Sequence, residues 1–161
     1  MRTTTTAILL LLWLVSLVTS RSLVDTLKKD DRFTELIHQL NRTQLLRDLE
    51  RFDNGTVFAP VNKAFDKNEG SNLNRAALLY HVLPSAVTTK DFYDGQLLGT
   101  SYHRQKLKVT KQSKHQWAVG NNDAKIIDAD VETDNGVIQV IDSVLKPLDD
   151  LSMFHLSSCN A

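Results

Sequence analysis

The hydrophobic period changes partway along this chain, and that change limits the possible folds more than any other feature. Before Pro84 most apolar residues recur at helical spacing; from Gln96 onward they recur at every second position. Phe33, Leu36, Ile37 and Leu40 stand at i, i+3, i+4 and i+7, the stripe of an amphipathic helix, with Asp30 or Asp31 placed to cap it. Ser22 can cap a shorter helix carrying Leu23, Val24 and Leu27, and Thr43 opens another with Leu45, Leu46, Leu49 and Phe52 inward. Leu73 to Leu83 is apolar on almost every side, which predicts a largely buried helix begun at Asn72 and ended by Pro84. Later, Leu97 with Gly99, Leu107 with Val109, and Trp117 with Val119 predict half-buried strands, with Trp117 in the core. Ala124 to Ala129 and Gly136 to Asp142 close the sheet. Helices first and antiparallel strands later argue an α+β domain.

Two blocks stand out from this pattern. Thr56-Val57-Phe58-Ala59-Pro60-Val61-Asn62-Lys63-Ala64-Phe65 is a short β run stopped by proline, followed by an Asn that can cap the helix holding Phe65. Asn135-Gly136-Val137-Ile138-Gln139-Val140-Ile141-Asp142-Ser143-Val144-Leu145-Lys146-Pro147 is a turn dipeptide feeding an apolar strand. Between them lies Tyr80-His81-Val82-Leu83. In this order the three segments resemble the markers of the fasciclin domain, and the resemblance runs from about Leu23 to Pro147. It implies a β-wedge of about seven strands flanked by short α-helices, and an extracellular binding and adhesion module without catalysis or cofactor.

The resemblance also marks residues. In that family the Tyr-His pair, here Tyr80 and His81, is associated with integrin-mediated adhesion. Its position at the end of an apolar segment equally fits a structural role, with the rings buried and hydrogen-bonded inward. A second adhesion motif, an acid followed by a branched apolar residue, is matched by Asp130-Val131; Asp128-Ala129 and Glu132 around it depart from the integrin-binding versions. The second block carries Gln139 where the family usually has His, which keeps hydrogen-bonding ability but cannot titrate.

Residues 1–20 read as a secretory signal: Arg2, an apolar run from Ala7 to Val18 broken by Ser16, and small residues suited to cleavage after Ser20. The run is about a dozen residues, short of the roughly 20 that a membrane span needs. Residues 21–148 then form one fasciclin domain and 149–161 a tail, giving a soluble, secreted chain. Lys and Arg total 19 against 19 acids, which argues against nucleic acid or an anionic membrane as the main partner, and no later segment is long enough for membrane insertion. Basic residues cluster locally at His103, Arg104, Lys106, Lys108, Lys111 and Lys114, a solvated strand face or a glycan site. One cysteine, Cys159, allows no internal disulfide, so the fold rests on packing, and a Cys159-linked homodimer or an idle thiol are the alternatives.

Catalytic chemistry finds no support. The histidines lack metal-ligand spacing, and no serine-hydrolase elbow, phosphate loop or dinucleotide fingerprint occurs. Asp128, Asp130, Glu132 and Asp134 alternate along a strand and its exit, not around the tight glycine turn of a calcium loop. Asn41-Arg42-Thr43 and Asn54-Gly55-Thr56 are N-glycosylation sequons in segments expected to be loops. The expected partner is a cell-surface, matrix or wall protein or glycan, of integrin type only in an animal host. The alternative is a carrier of small apolar ligands, with a pocket between wedge and helices.

Overall fold

The computed structural model describes residues 21–66, 73–102 and 105–148. The signal segment, the tail with Cys159, and His103 and Arg104 lie outside these residues. Helix α1 (Leu23–Lys29) begins where Ser22 accepts a hydrogen bond from the Asp25 N–H at 3.1 Å, and it buries Leu23, Val24 and Leu27. Asp30 accepts from the Arg32 N–H and opens a short 3-10 turn (Asp31–Phe33) leading into α2 (Thr34–Arg42). Phe33, Leu36 and Leu40 are buried and Ile37 is half-buried, as the stripe requires. Asn62 does not cap its own helix: its Oδ1 accepts from the Glu35 N–H at 3.1 Å, so it satisfies the start of α2 instead.

Thr43 closes α2 where a helix start was expected. Its N–H and hydroxyl both donate to the Gln39 carbonyl, and Gln44 turns the chain at φ 61° before α3 (Leu46–Glu50). Strand β1 (Gly55–Pro60) and α4 (Asn62–Asp66) follow. The long apolar helix is shorter than its sequence implies. Asn74 caps α5 (Arg75–Tyr80), accepting from the Ala77 N–H at 2.7 Å, and Val82–Leu83 leave it to form β2. The residue before Pro84 is driven to extended geometry, and pairing with β1 (Val57↔Val82, Thr56↔Leu83) supplies partners for an extended backbone there.

A 3-10 turn (Thr89–Asp91) precedes β3 (Leu97–Gly99), β4 (Lys106–Ser113), β5 (Gln116–Val119), β6 (Ala124–Thr133) and β7 (Gly136–Ile141). These strands form one sheet in the order β2-β1-β7-β6-β5-β4-β3, with β1 and β7 parallel and every other pair antiparallel. The two parallel strands are buried along their whole length because both faces are covered. Val57, Ala59, Ile138 and Val140 join the helices in one core, while Phe58 and Ile141 join Tyr80, Leu107, Val109, Val119 and Leu145 in a second.

Two strand readings need correction. In β3 it is Leu98, opposite Leu107, that points inward; Leu97 lies opposite Lys108 and is 56% exposed. Adjacent leucines leave the phase of so short a strand open, and the cross-strand partner decides it. Trp117 is half-buried at the rim of the second core. It meets Phe92 edge-on at a centroid distance of 5.8 Å, and the Lys111 ammonium lies 5.3 Å from its ring centre.

The parallel pair starts with two glycines side by side, Gly55 opposite Gly136. A Cβ on Gly136 would collide with the Gly55 carbonyl oxygen, which is backbone and has no room to withdraw. Gly136→Ala is therefore expected to lower stability by more than about 3 kcal/mol. A shift of the urea midpoint matching less than about 1 kcal/mol would refute this reading of the junction.

Candidate functional site

His81 follows α5 directly and is 1% exposed. The Leu145 N–H donates to its Nε2 at 2.9 Å, so the ring proton sits on Nδ1, which donates to the Ala77 carbonyl at 2.8 Å. The imidazole thus prolongs the helix by one hydrogen bond and fastens the segment after β7 to it. Desolvation dominates its titration and pushes the pKa down to about 4, only partly opposed by the bond to Ala77. Tyr80 is fully buried beside it, its hydroxyl donating to the Lys106 carbonyl at 3.3 Å.

Asp130, of the second marker pair, lies on β6. It occupies an irregularity in the β6–β7 ladder between Asp128 and Val131, at φ 56°, and is half-buried. Gln139, wholly buried on β7, grips it twice: Oε1 accepts from the Asp130 N–H at 3.0 Å and Nε2 donates to Asp130 Oδ1 at 2.7 Å. Thr89 completes the set, its N–H donating to Oδ1 at 2.8 Å and its hydroxyl to Oδ2. Burial alone would raise the Asp130 pKa, but the bonds from Thr89 and Gln139, with the charge of Lys90, hold it below the usual carboxylate range. Val131 is half-buried against the helix-side core.

The two marker pairs are joined by the segment that follows β2. Thr56 on β1 donates its hydroxyl to the Ser85 carbonyl and accepts from the Val87 N–H, each at 2.8 Å. Gln139 donates to the Val87 carbonyl at 3.3 Å, and Thr89 reaches Asp130. Residues 85–91 are therefore a strap laid over β1 and β7 from His81 to Asp130. Sequence reasoning missed Thr56 and Thr89. The reciprocal cap between Thr88 and Asp91 is a readable local signal for the strap's turn, but nothing in the spacing points to Asp130.

Three of the four alternating acids go to separate partners. Asp128 pairs with Arg32 at 3.2 Å, Asp130 is held as above, and Asp134 accepts from the Arg21 N–H at 2.5 Å. A groove of about 620 Å³ beside α1 is lined by Arg21, Thr26, Lys29, Asp30 and Asp31, four of them charged residues. Asn41 is exposed in the last turn of α2, not in a loop, and Asn54 is exposed in the turn before β1 at φ 61°. No helix among the described residues is long and apolar enough to cross a membrane.

The profile of the fasciclin domain matches residues 31–147. The chain belongs to the fasciclin domain family. Its relatives include the rabbit (Oryctolagus cuniculus) transforming growth factor-beta-induced protein ig-h3, 32% identical over 80% of this chain and 20% of that protein. Human periostin is 31% identical over 80% of this chain and 16% of its own length. Protein sll1483 of Synechocystis is 29% identical over 78% of this chain and 73% of its own. The chain thus spans about a fifth or less of the two animal relatives and most of the cyanobacterial one. A solved domain pair from the insect cell adhesion molecule fasciclin I shares the fold, with a TM-score of 0.58 over 73% of this chain and 46% of that one at 20% identity. The seven-stranded wedge with short helices is the fasciclin fold.

The buried imidazole makes the stability of this fasciclin domain pH-dependent. Its folded pKa of about 4 lies below the unfolded value near 6.5, so the unfolded chain binds the extra proton between them. The His81 contribution is fully present above about pH 6.5 and is lost as pH falls toward 4, by about 3 kcal/mol in all. His81→Asn, which cannot titrate, is expected to be less stable at pH 7 by about 1–3 kcal/mol and to have a flatter profile between pH 6.5 and 4. Urea midpoints measured across that range check both; parallel profiles for the two proteins would contradict the assignment.

Proposed function

We propose that this fasciclin domain is a secreted, non-catalytic binding module of the adhesion type, acting by surface contact with a protein or glycan at a cell surface, matrix or wall. The observation that carries the reading is the way the family's marker groups are spent. Both nitrogens of His81 are committed to backbone groups, and the Asp130 carboxylate accepts from Thr89 and Gln139. Groups so occupied are poor acids, bases or nucleophiles, and they are well suited to holding a strap and strand edge in one shape. The kinship supports the same reading, since one relative, Drosophila fasciclin-1, is 27% identical over 88% of this chain, and the solved domain pair that shares the fold comes from an insect cell adhesion molecule, fasciclin I.

Tyr80 and His81 are then shape-giving residues beneath the contact surface. Asp130 and Val131 stand nearer to it. For Asp130 to complete a receptor's metal site, its carboxylate would have to leave Thr89. Asn41 and Asn54 are both exposed and are proposed carriers of glycan in a eukaryotic host.

Immobilised protein should retain cells or surface extract of the producing organism saturably, and heat-denatured protein should not. Asp130→Ala should weaken retention severalfold by freeing the strap, while His81→Asn at pH 7, where it remains folded, should retain normally. Equal retention by native and denatured protein would sink the proposal.

A further inference from the structure

We infer that the outer face of β3 and β4 is a docking ladder for a linear acidic polysaccharide, sulfated or carboxylated. This deepens the binding-module reading and rests on it. The sequence between Asp94 and Asp123 contains no acidic residue, yet it supplies Lys106, Lys108, Lys111 and Lys114, all exposed. Strand geometry sorts them. Leu107 and Val109 are fully buried, so Lys106 and Lys108 face outward about 7 Å apart. Gly99 and Leu97 lie opposite them on β3. Pairing of Thr110 with Ala118, and of Ala118 with Lys125, brings Lys125 to the same face two strands away. Lys111 goes to the other face, over Trp117.

Among the described residues, the charge of this face has no ion-pair partner. The ion pairs among the described residues employ Lys28, Arg32 and Arg75, and none reaches Lys106, Lys108 or Lys125. The neighbouring acids are turned to the backbone. Asp94 accepts from the Lys111 N–H at 2.8 Å, and Asp142 accepts from the Lys125 N–H at 2.9 Å. A chain with no net charge thus carries a strip of lysines without an ion-pair partner among the described residues, and opposite charge is drawn to it.

The form of the strip selects the partner. Its neighbouring lysines, Lys106 and Lys108, run along β4 with Lys125 two strands away, and exposed Glu132 farther along β6 would repel a broad anionic plane such as a bilayer or a duplex. Single-stranded nucleic acid needs aromatic platforms between the cations. Here the intervening side chains at the surface are Leu97 and Thr110, with Ile127 next to Lys125 along β6 and 52% exposed. A narrow polysaccharide offers regularly spaced anions with small apolar ring faces between them, which matches lysines interleaved with aliphatic carbons.

The test measures binding of the full secreted chain to a heparin decasaccharide and to a polygalacturonate oligomer, by calorimetry at 0.15 M salt. The Lys106→Gln/Lys108→Gln double variant is compared with Lys28→Gln/Lys63→Gln, which removes the same charge from the helical side. Wild type should bind at least one probe, and the β4 variant should bind it on the order of tenfold more weakly, with the control within about twofold of wild type. Unchanged thermal melting shows that the variants fold. Binding to neither probe, an equal loss in both variants, or stronger binding to single-stranded DNA of the same charge overturns the inference. Retention of cells by the β4 variant separates the two proposals: retention that survives while polysaccharide binding never appears removes only this one. Polysaccharide binding without any retention of cells or extract removes the adhesion reading instead.

Discussion

The fold hangs on one junction, the start of the parallel β1–β7 pair at Asn135. Its side-chain oxygen accepts from the Leu23 N–H at 2.7 Å, at the first residue of α1. Its amide nitrogen donates to the Phe52 carbonyl at 3.1 Å, just after α3. Its own carbonyl accepts from the Asn54 N–H at 3.1 Å, where the chain enters β1. One side chain and one carbonyl thus bind the helices to the sheet and set the register of strands that are far apart in sequence. Such a residue cannot be replaced without stranding several backbone groups at once. The facing glycines beside it allow the two backbones to approach closely.

The rest follows from that pairing. With β1 and β7 at the centre, each face of the pair needs a cover. The helices cover one face with Leu23, Leu27, Leu36 and Leu40, and the antiparallel strands curl over the other with Leu107, Val109 and Val119. His81 and Gln139 are two of the buried polar side chains inside this packing, with Gln39, Thr56 and Thr100, and each of the two has every demand met. A buried polar group with complete partners fixes one geometry, because any shift leaves it unpaired at a cost of about 1–3 kcal/mol. That is the physical reason a histidine and a glutamine can serve here as rivets.

The sequence carried much of this openly. The helical stripe of α2 and the Ser22 cap are local, so periodicity and side-chain chemistry reveal them, as they do Leu107 and Val109 on β4. The fasciclin resemblance rested on the two blocks that became β1 and β7, the strands buried on both faces. What could not be read is non-local. Val82 and Leu83 continue a helical pattern by composition, and only their pairing with β1 makes them a strand. Leu97 and Leu98 are chemically identical, so the partner strand alone chooses which is buried. Asp130 looks like a free acid at a strand end until Thr89 and Gln139 are brought to it. The role of Asn135 as a junction is hidden for the same reason: an Asn-Gly pair announces a turn and says nothing of Leu23.

Function, on this account, is borne by surfaces that the rivets hold still, so the central claim is about where rigidity originates. Amide hydrogen exchange followed by NMR tests it most directly, because each amide reports the smallest opening that exposes it. The interior amides of β1 and β7, among them Phe58, which donates to the His81 carbonyl at 2.9 Å, should exchange only through global unfolding. The amides of β3 at the sheet edge should open at a free energy lower by about 2 kcal/mol or more. Exchange of β1 and β7 as fast as β3, with β4 and β5 still protected, would contradict the claim that the parallel pair is the foundation of the fold.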